Sequence, residues 1–140
     1  MESAPLGERM PELHTAIPGP RSRALAARLR VVESPNITAI GDQGPIFWSE
    51  AGGANVRDVD GNVFIDLTAG FGVSAAGHGN PAVARAADRQ LHRLAHAMGD
   101  VHPADVKVEL LERLAALAPG DLSVSILSAN GADAVESALK

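Results

Sequence analysis

The pair Asp60-Gly61 stands between two alternating runs, "GGANVRDV" and "NVFIDL", and constrains this chain more than any other short feature. Both positions can reach positive φ, which a tight turn between antiparallel strands demands, so the segment predicts a β-hairpin. Val56 and Val59 flank the first arm, and Val63, Ile65 and Leu67 share one face of the second by the period of two. "PIFWSE" just upstream is a further short apolar run. Downstream, "TAGFGVSAAGHGNP" is a glycine-rich loop too long to be a simple turn.

Helical spacing surrounds this β block. "RSRALAARLRVVE" places Leu25, Leu29 and Val32 on one helix face, and Ser34-Pro35-Asn36 ends it, because a residue before proline is pushed out of the α region. Asn80-Pro81 opens a second helix, Asn as N-cap and Pro at the first helical position, with a stripe of Val83, Ala87, Leu91, Leu94 and Met98. A third follows His102-Pro103, with Val106, Leu110, Leu114 and Leu117 on one face, and stops at Pro119-Gly120. The apolar run Val124 to Leu127 then predicts a strand, and "SANGADAVESALK" a glycine turn and a final helix. The order is helix, hairpin, two helices, strand, helix, without internal repeat. A strand-turn-helix unit at the end points to an α/β sheet. Residues 1–20, with prolines at 5, 11, 18 and 20, read as an arm with no core of its own.

Composition narrows the function classes. A net charge of −5 with no cluster of Lys and Arg argues against a nucleic-acid surface. The chain has no cysteine, hence no disulfide framework and no thiolate chemistry. No apolar run is long enough to span a membrane, and the first twenty residues lack the basic and apolar regions of a secretory signal. A soluble cytoplasmic protein is the expectation, and the sequon Asn36-Ile37-Thr38 carries no weight without a secretion signal.

Two stretches carry candidate chemistry. At the final helix, Asn130 occupies the N-cap and Asp133 follows three residues later, a capping-box-like start with Asp in place of Glu. Backbone N–H groups of Gly131, Ala132 and Asp133 then lack helical acceptors, and Gly131 permits close approach of an anion. A phosphate cradle and an ordinary capped helix both use these residues. In the glycine loop, Gly70, Gly72, Gly77 and Gly79 surround Phe71, which reads either as pocket-lining or as packing within a linker. "GFGVSAAG" is no dinucleotide fingerprint, since it follows a hairpin arm and opens no helix in register. His92, His96 and His102 lack the further ligands of a metal site, and no nucleophile elbow or P-loop occurs.

Three collinear motifs resemble class-III pyridoxal-phosphate aminotransferases, the group of the 4-aminobutyrate and acetylornithine enzymes. "GANVRDVDGNVFIDLTAGFGVSAAGHGNPAV" is similar to that family's hairpin, apolar-Asp segment, Gly-rich loop, Gly-His and proline-started helix. "SANGADAVESALK" resembles its Ser/Thr-Gly-(Ser/Thr/Ala)-Glu-Ala-x-Glu-x-Ala-x-Lys motif, and "IPGPRS" the arm of the 4-aminobutyrate branch. The resemblance runs from about Pro18 to Lys140. It implies the N-terminal portion of fold type I: arm (1–20), small-domain helix and hairpin (21–67), and the start of the cofactor-binding large domain (68–140), Val124 to Leu127 being that domain's first strand.

It further implies pyridoxal phosphate as cofactor, its phosphate held at Asn130, Gly131 and Ala132, with Asn130 and Asp133 departing from the family's Ser/Thr and Glu. Phe71 matches a loop position on the substrate side of the pocket. Implied partners are a small-molecule amino donor and a keto acid, with a second copy of the chain in a homodimer. Alternatives are an aminomutase, decarboxylase or racemase of the same fold, or a non-catalytic fragment acting as a dimerisation or interaction module. The only lysines, Lys107 and Lys140, match no Schiff-base position of the family, so this chain alone is expected to be inactive.

Overall fold

In the computed structural model, which describes residues 4–35, 37, 38, 41 and 44–140, three strands form one antiparallel sheet in the order β1-β2-β3. They are β1 (Trp48–Gly52), β2 (Asn55–Asp58) and β3 (Val63–Ile65). The hairpin closes at the expected place but through a different turn: only Gly61 of the Asp60-Gly61 pair adopts positive φ (+92°), its N–H donates to Asp58 O at 3.1 Å so that Val59 and Asp60 are the central residues, and Asp58 N–H donates to Asn62 O at 3.0 Å. Arg57 pairs with Val63 and Val56 with Phe64, so Val56 and Val63 project to opposite faces. Both are buried, as are Leu6, Ala26 and Pro18. Between β1 and β2 the register slips at Ser49, an extra residue whose hydroxyl donates to the carbonyls of Arg57 and Asp58 and so satisfies the bulge.

The alternation overstates the second arm. Val63 is covered, but Ile65 ends its strand half exposed and Leu67 lies beyond it, 90% exposed. The described residues cover about half of Ile65 and almost none of Leu67.

The described part of the arm holds to the sheet through polar contacts between Leu6 and Thr15. The buried Asn55 amide donates to Leu6 O (2.8 Å) and Arg9 O (2.6 Å), beside a short 3-10 turn at Leu6–Glu8. Glu12 and Val63 exchange both backbone bonds. Asn62 Oδ1 accepts from the N–H groups of His14 and Thr15, while its Nδ2 donates to Thr15 Oγ1 and to Asp58 Oδ2. Asp58 Oδ1 accepts from the N–H groups of Asp60 and Asn62. Asp58 and Asn62 are buried, and every hydrogen bond they need is made within the chain.

α1 (Pro20–Val32) begins with proline at its first position and ends before Ser34-Pro35, as its sequence predicts. Its covered face is Ser22 and Ala26, one turn apart, with Leu25 and Leu29 half buried and Val32 exposed. Small side chains let the helix sit close, so the leucine stripe lies at the edge of the contact. Asn36, at which the notional sequon begins, lies outside the described residues.

The N-cap of α1 is Gly19, which has no side chain to offer, and Asp60 supplies the cap from the hairpin turn. Its Oδ1 accepts from Arg21 N–H at 2.7 Å, and its Oδ2 from Ser22 N–H (2.9 Å) and Ser22 Oγ (2.7 Å). Burial alone would raise the Asp60 pKa, but those bonds and the Arg21 charge outweigh it and hold the carboxyl below its ordinary 3.8. A Cβ on Gly19 would stand 2.3 Å from Asp60 Cγ. Gly19→Ala should therefore expel the carboxylate from the helix start. Gly19→Ala and Asp60→Ala are expected to lower the thermal midpoint, and the double variant to fall no further than the worse single one, since both remove one cap. Additive losses in such a cycle would refute the shared cause. The cap's stabilisation is complete above pH 3.8 and fades as pH falls through the depressed pKa.

The chain divides into two compact units, Met1–Arg89 and Gln90–Lys140. α2 (Pro81–Arg93) runs across the division. Its N-cap is as expected: Asn80 Oδ1 accepts from the N–H groups of Ala82 and Val83. In the second unit lie α3 (Asp105–Leu117), whose Asp105 carboxylate pairs with Arg93, and α4 (Gly131–Leu139). No described residue of this unit is buried. Val106, Leu110, Leu114 and Leu117 share a face of α3 as the spacing predicts, and all remain exposed.

The strand expected at Val124 to Leu127 is absent. Residues 122–128 join no ladder among the described residues, and an apolar run becomes a strand only beside a partner whose backbone it can pair with.

Candidate functional site

α4 starts as its sequence predicts. Asn130 has extended backbone (φ −156°, ψ 172°), and its Oδ1 accepts from Asp133 N–H at 3.0 Å. Its Nδ2 donates to Asp133 Oδ2 at 2.9 Å, so the shorter Asp meets the Asn130 side chain in place of the N-cap backbone N–H that Glu reaches in a capping box. Asn130 retains one further N–H. Among the described residues no acceptor meets the N–H groups of Gly131 and Ala132, and a Cβ at Gly131 would find nothing within 4 Å. Two free donors at a positive helix end, open on their outer side, suit an anionic oxygen. The Asp133 carboxylate opposes this, because it brings negative charge to the same turn.

Phe71 belongs to the first unit, within the loop from Thr68 to Asn80. Ala69, Gly70, Phe71 and Gly72 all have positive φ, at 50°, 59°, 57° and 84°. Gly72 N–H donates to Thr68 O and Ser74 N–H to Ala69 O, both at 2.8 Å, making a left-handed turn. Each non-glycine residue in this region costs about 1–2 kcal/mol, so Ala69 and Phe71 must be held there by their surroundings. The ring of Phe71 stands 97% exposed at the tip.

What holds the turn is Asp66, which the resemblance includes in its apolar-Asp segment without a role. Its Oδ1 accepts from Thr68 N–H (3.0 Å) and Thr68 Oγ1 (2.7 Å), its Oδ2 from Gly70 N–H (2.7 Å) and from His78 Nε2 (2.8 Å). The two side chains are 3% and 13% exposed. An ionised carboxylate only accepts, so Nε2 carries the proton. His78 is itself fixed: its backbone exchanges two bonds with Gly53, and its ring meets Trp48 edge-on, centroids 5.9 Å apart. Asp–x–Thr–x–Gly followed by Gly-His could have signalled this, because an Asp two residues before a Thr readily caps its own turn.

The hydrogen bond from His78, then that from the Thr68 hydroxyl, lower the Asp66 pKa to about 2; burial opposes, and the N–H groups of Gly70 and Thr68 add to the lowering. With the folded pKa below the ordinary 3.8, the stabilisation is complete above that value and lost as pH falls through about 2. Emission of Trp48, the sole tryptophan, should hold between pH 5 and 3 and step near pH 2. Asp66→Asn should remove that step, and a step persisting in the variant would assign it to another group.

Two clefts border this loop in the first unit. One, of about 320 Å³, is lined by Val73, Ser74, Ala76–Asn80, Val83 and Ala84. The other, of about 520 Å³, lies between Pro5–Glu8, Glu50–Gly53 and Ala76–Pro81. Phe71 lines neither. Asn130, Gly131 and Ala132 are brought together at one helix start in the second unit. Among the described residues no group of three His, Asp or Glu side chains is placed to hold a metal ion, and no helix is long and apolar enough to cross a membrane.

Comparison with known proteins decides the family. Residues 37–140 match the profile described as "Aminotransferase class-III". This chain belongs to the class-III aminotransferases. It is 39% identical over 129 residues to the 4-aminobutyrate aminotransferase of Mycobacterium tuberculosis (strain ATCC 25618 / H37Rv), covering 91% of this chain and 28% of that protein. The 4-aminobutyrate aminotransferase of Mycobacterium leprae (strain TN) is 35% identical over 134 residues, 95% of this chain and 29% of that one. Among solved structures, a thermostable (S)-enantioselective omega-transaminase from Thermomicrobium roseum superposes with a TM-score of 0.73 at 28% identity, over 83% of this chain and 27% of its own. The chain spans less than a third of the length of the curated relatives it matches. Its fold is thus the N-terminal portion of a transaminase fold, and the three-stranded sheet, the glycine loop and α4 follow in the order the resemblance implies.

Proposed function

We propose that this class-III aminotransferase chain supplies the N-terminal part of a pyridoxal-phosphate enzyme that moves an amino group between an amino acid or amine and a 2-keto acid. The observation that carries the reading is the pair of open N–H groups at Gly131 and Ala132, on a helix inside the region that matches the family. In it, those two donors and the dipole of α4 bind the cofactor's phosphate, while Asn130 fixes the turn by capping and has one N–H left to donate. When bound, pyridoxal phosphate supplies an electron sink for the carbon that carries the amino group. Phe71 shapes the substrate side of the pocket from the glycine loop.

Residues 1–20 then act as an arm, 21–67 as the small-domain segment and 68–140 as the opening of the cofactor-binding domain. Neither lysine serves as the catalytic amine: Lys107 Nζ donates to Gly99 O, and Lys140 pairs with Glu136 on the exposed side of α4. Catalysis accordingly needs residues other than those of this chain. A cytoplasmic homodimer completes the proposal.

Amide NMR of the 140-residue chain tests the anchor. Pyridoxal phosphate and inorganic phosphate should each shift the Gly131 and Ala132 amide protons downfield, while pyridoxal without phosphate should not. Amides at 131 and 132 that ignore both phosphates would sink the assignment.

A further inference from the structure

We infer that Asp66 and His78 are a positioning pair that locks Ala69–Gly72 in its left-handed turn and thereby sets the direction of Phe71. The pair lies outside the anchor at α4 and acts on Phe71 only through the turn. Four donors converge on one carboxylate: Thr68 N–H, Thr68 Oγ1, Gly70 N–H and His78 Nε2. Two of them, at Thr68 and Gly70, bracket Ala69, the first strained residue. The bond from Gly70 N–H runs back four residues to the Asp66 side chain, where a right-handed helix would use a backbone carbonyl.

Asp66 could not impose this alone, because a short side chain on a loop is free to turn. The fourth bond removes that freedom. His78 is tied to the end of β1 through both of its backbone groups at Gly53, and its ring stands perpendicular to that of Trp48 in the same strand. Gly77, φ +87°, supplies the left-handed backbone that brings the chain beside Gly53. The sheet thus fixes His78, His78 fixes the carboxylate, and the carboxylate fixes the turn. The exposed ring of Phe71 makes no packing contact that could hold its own backbone at φ +57°. Its direction is set from below.

The consequence for catalysis rests on the proposed pocket role of Phe71, whereas the positioning does not. In the Trp48→Phe/Phe71→Trp background the single indole reports on the turn itself. Adding His78→Leu or Asp66→Asn should roughly double the amplitude of fast, nanosecond depolarisation at position 71. Far-UV circular dichroism and cooperative unfolding of the chain should persist. His78→Gln, whose amide can still donate to Asp66, should restore most of the ordering. Unchanged depolarisation in both variants would overturn the inference. So would loss of folding in both, since the pair would then hold the whole unit and not the turn. The pocket reading fails separately, if Phe71→Ala in the full-length enzyme leaves the KM for amine and keto acid unaltered while the depolarisation result stands.

Discussion

Asn62→Ala is expected to lower the thermal midpoint of this chain by roughly 10–20 °C. The side chain is fully buried and ends four hydrogen bonds, to His14 N, Thr15 N, Thr15 Oγ1 and Asp58 Oδ2. Truncation leaves Asp58, 1% exposed, with an unpaired carboxylate oxygen. An unsatisfied buried polar group costs about 1–3 kcal/mol, more when charged, and the backbone donors of His14 and Thr15 can recover only part of theirs from water. The sum is about 3 kcal/mol, a large share of what a small domain has. Asn80→Ala, which removes an exposed helix cap, should cost about 1 kcal/mol and provides the comparison. Thermal unfolding followed by Trp48 emission measures both. The location of the damage is diagnostic as well: amide exchange should rise first at residues 5–15, because Asn62 ties the arm to the sheet. A midpoint that moves by no more than that of Asn80→Ala would mean the arm is held by Asn55 and the Glu12–Val63 bridge alone.

Asn62 also shows where the sequence was legible and where it was not. The Asp60-Gly61 turn announces itself because the φ requirement of a tight hairpin is local and few residue types meet it. Asn80-Pro81 and Asn130 announce helix starts for the same reason, since a cap is satisfied within three residues. The fold class and the family were readable because these local signals recur in a fixed order along the chain. What sequence spacing could not show are bonds between distant segments. Asp60 and Asn62 look like ordinary turn residues, yet they carry the start of α1 and the arm, thirty-eight to forty-eight positions away. Asp66 and His78, twelve apart, were likewise invisible as a pair. Val124 to Leu127 failed in the opposite sense. Its composition suits a strand, but a ladder needs a second strand, and none of the described residues provides one. Leu67 follows the same logic, an apolar position that the described residues leave 90% exposed.

Gly131→Pro should weaken phosphate binding at α4 about tenfold to a hundredfold while leaving the helix intact. Most substitutions at a helix start confound folding with binding, and this one separates them. Position 131 is the first residue of α4, where proline is favoured because its ring presets φ and its missing N–H had no helical acceptor. The preceding Asn130 is already extended, the region that proline imposes on its neighbour. Nothing lies within 4 Å of a Cβ there. The change therefore deletes one donor and little else. A hydrogen bond to a charged group contributes about 1.5–3 kcal/mol, which is the fold-change stated. The downfield shift at Ala132 should remain but need correspondingly more pyridoxal phosphate to saturate. Asn130→Ala should behave in the reverse manner, loosening α4 through the lost cap and affecting affinity chiefly through that. Asp133→Asn should tighten binding, because it removes the one negative charge that the capping box brings to the site. If Gly131→Pro binds phosphate as well as the parent chain, the backbone donor at 131 is no part of the anchor, and the helix dipole with Ala132 must account for whatever binding remains.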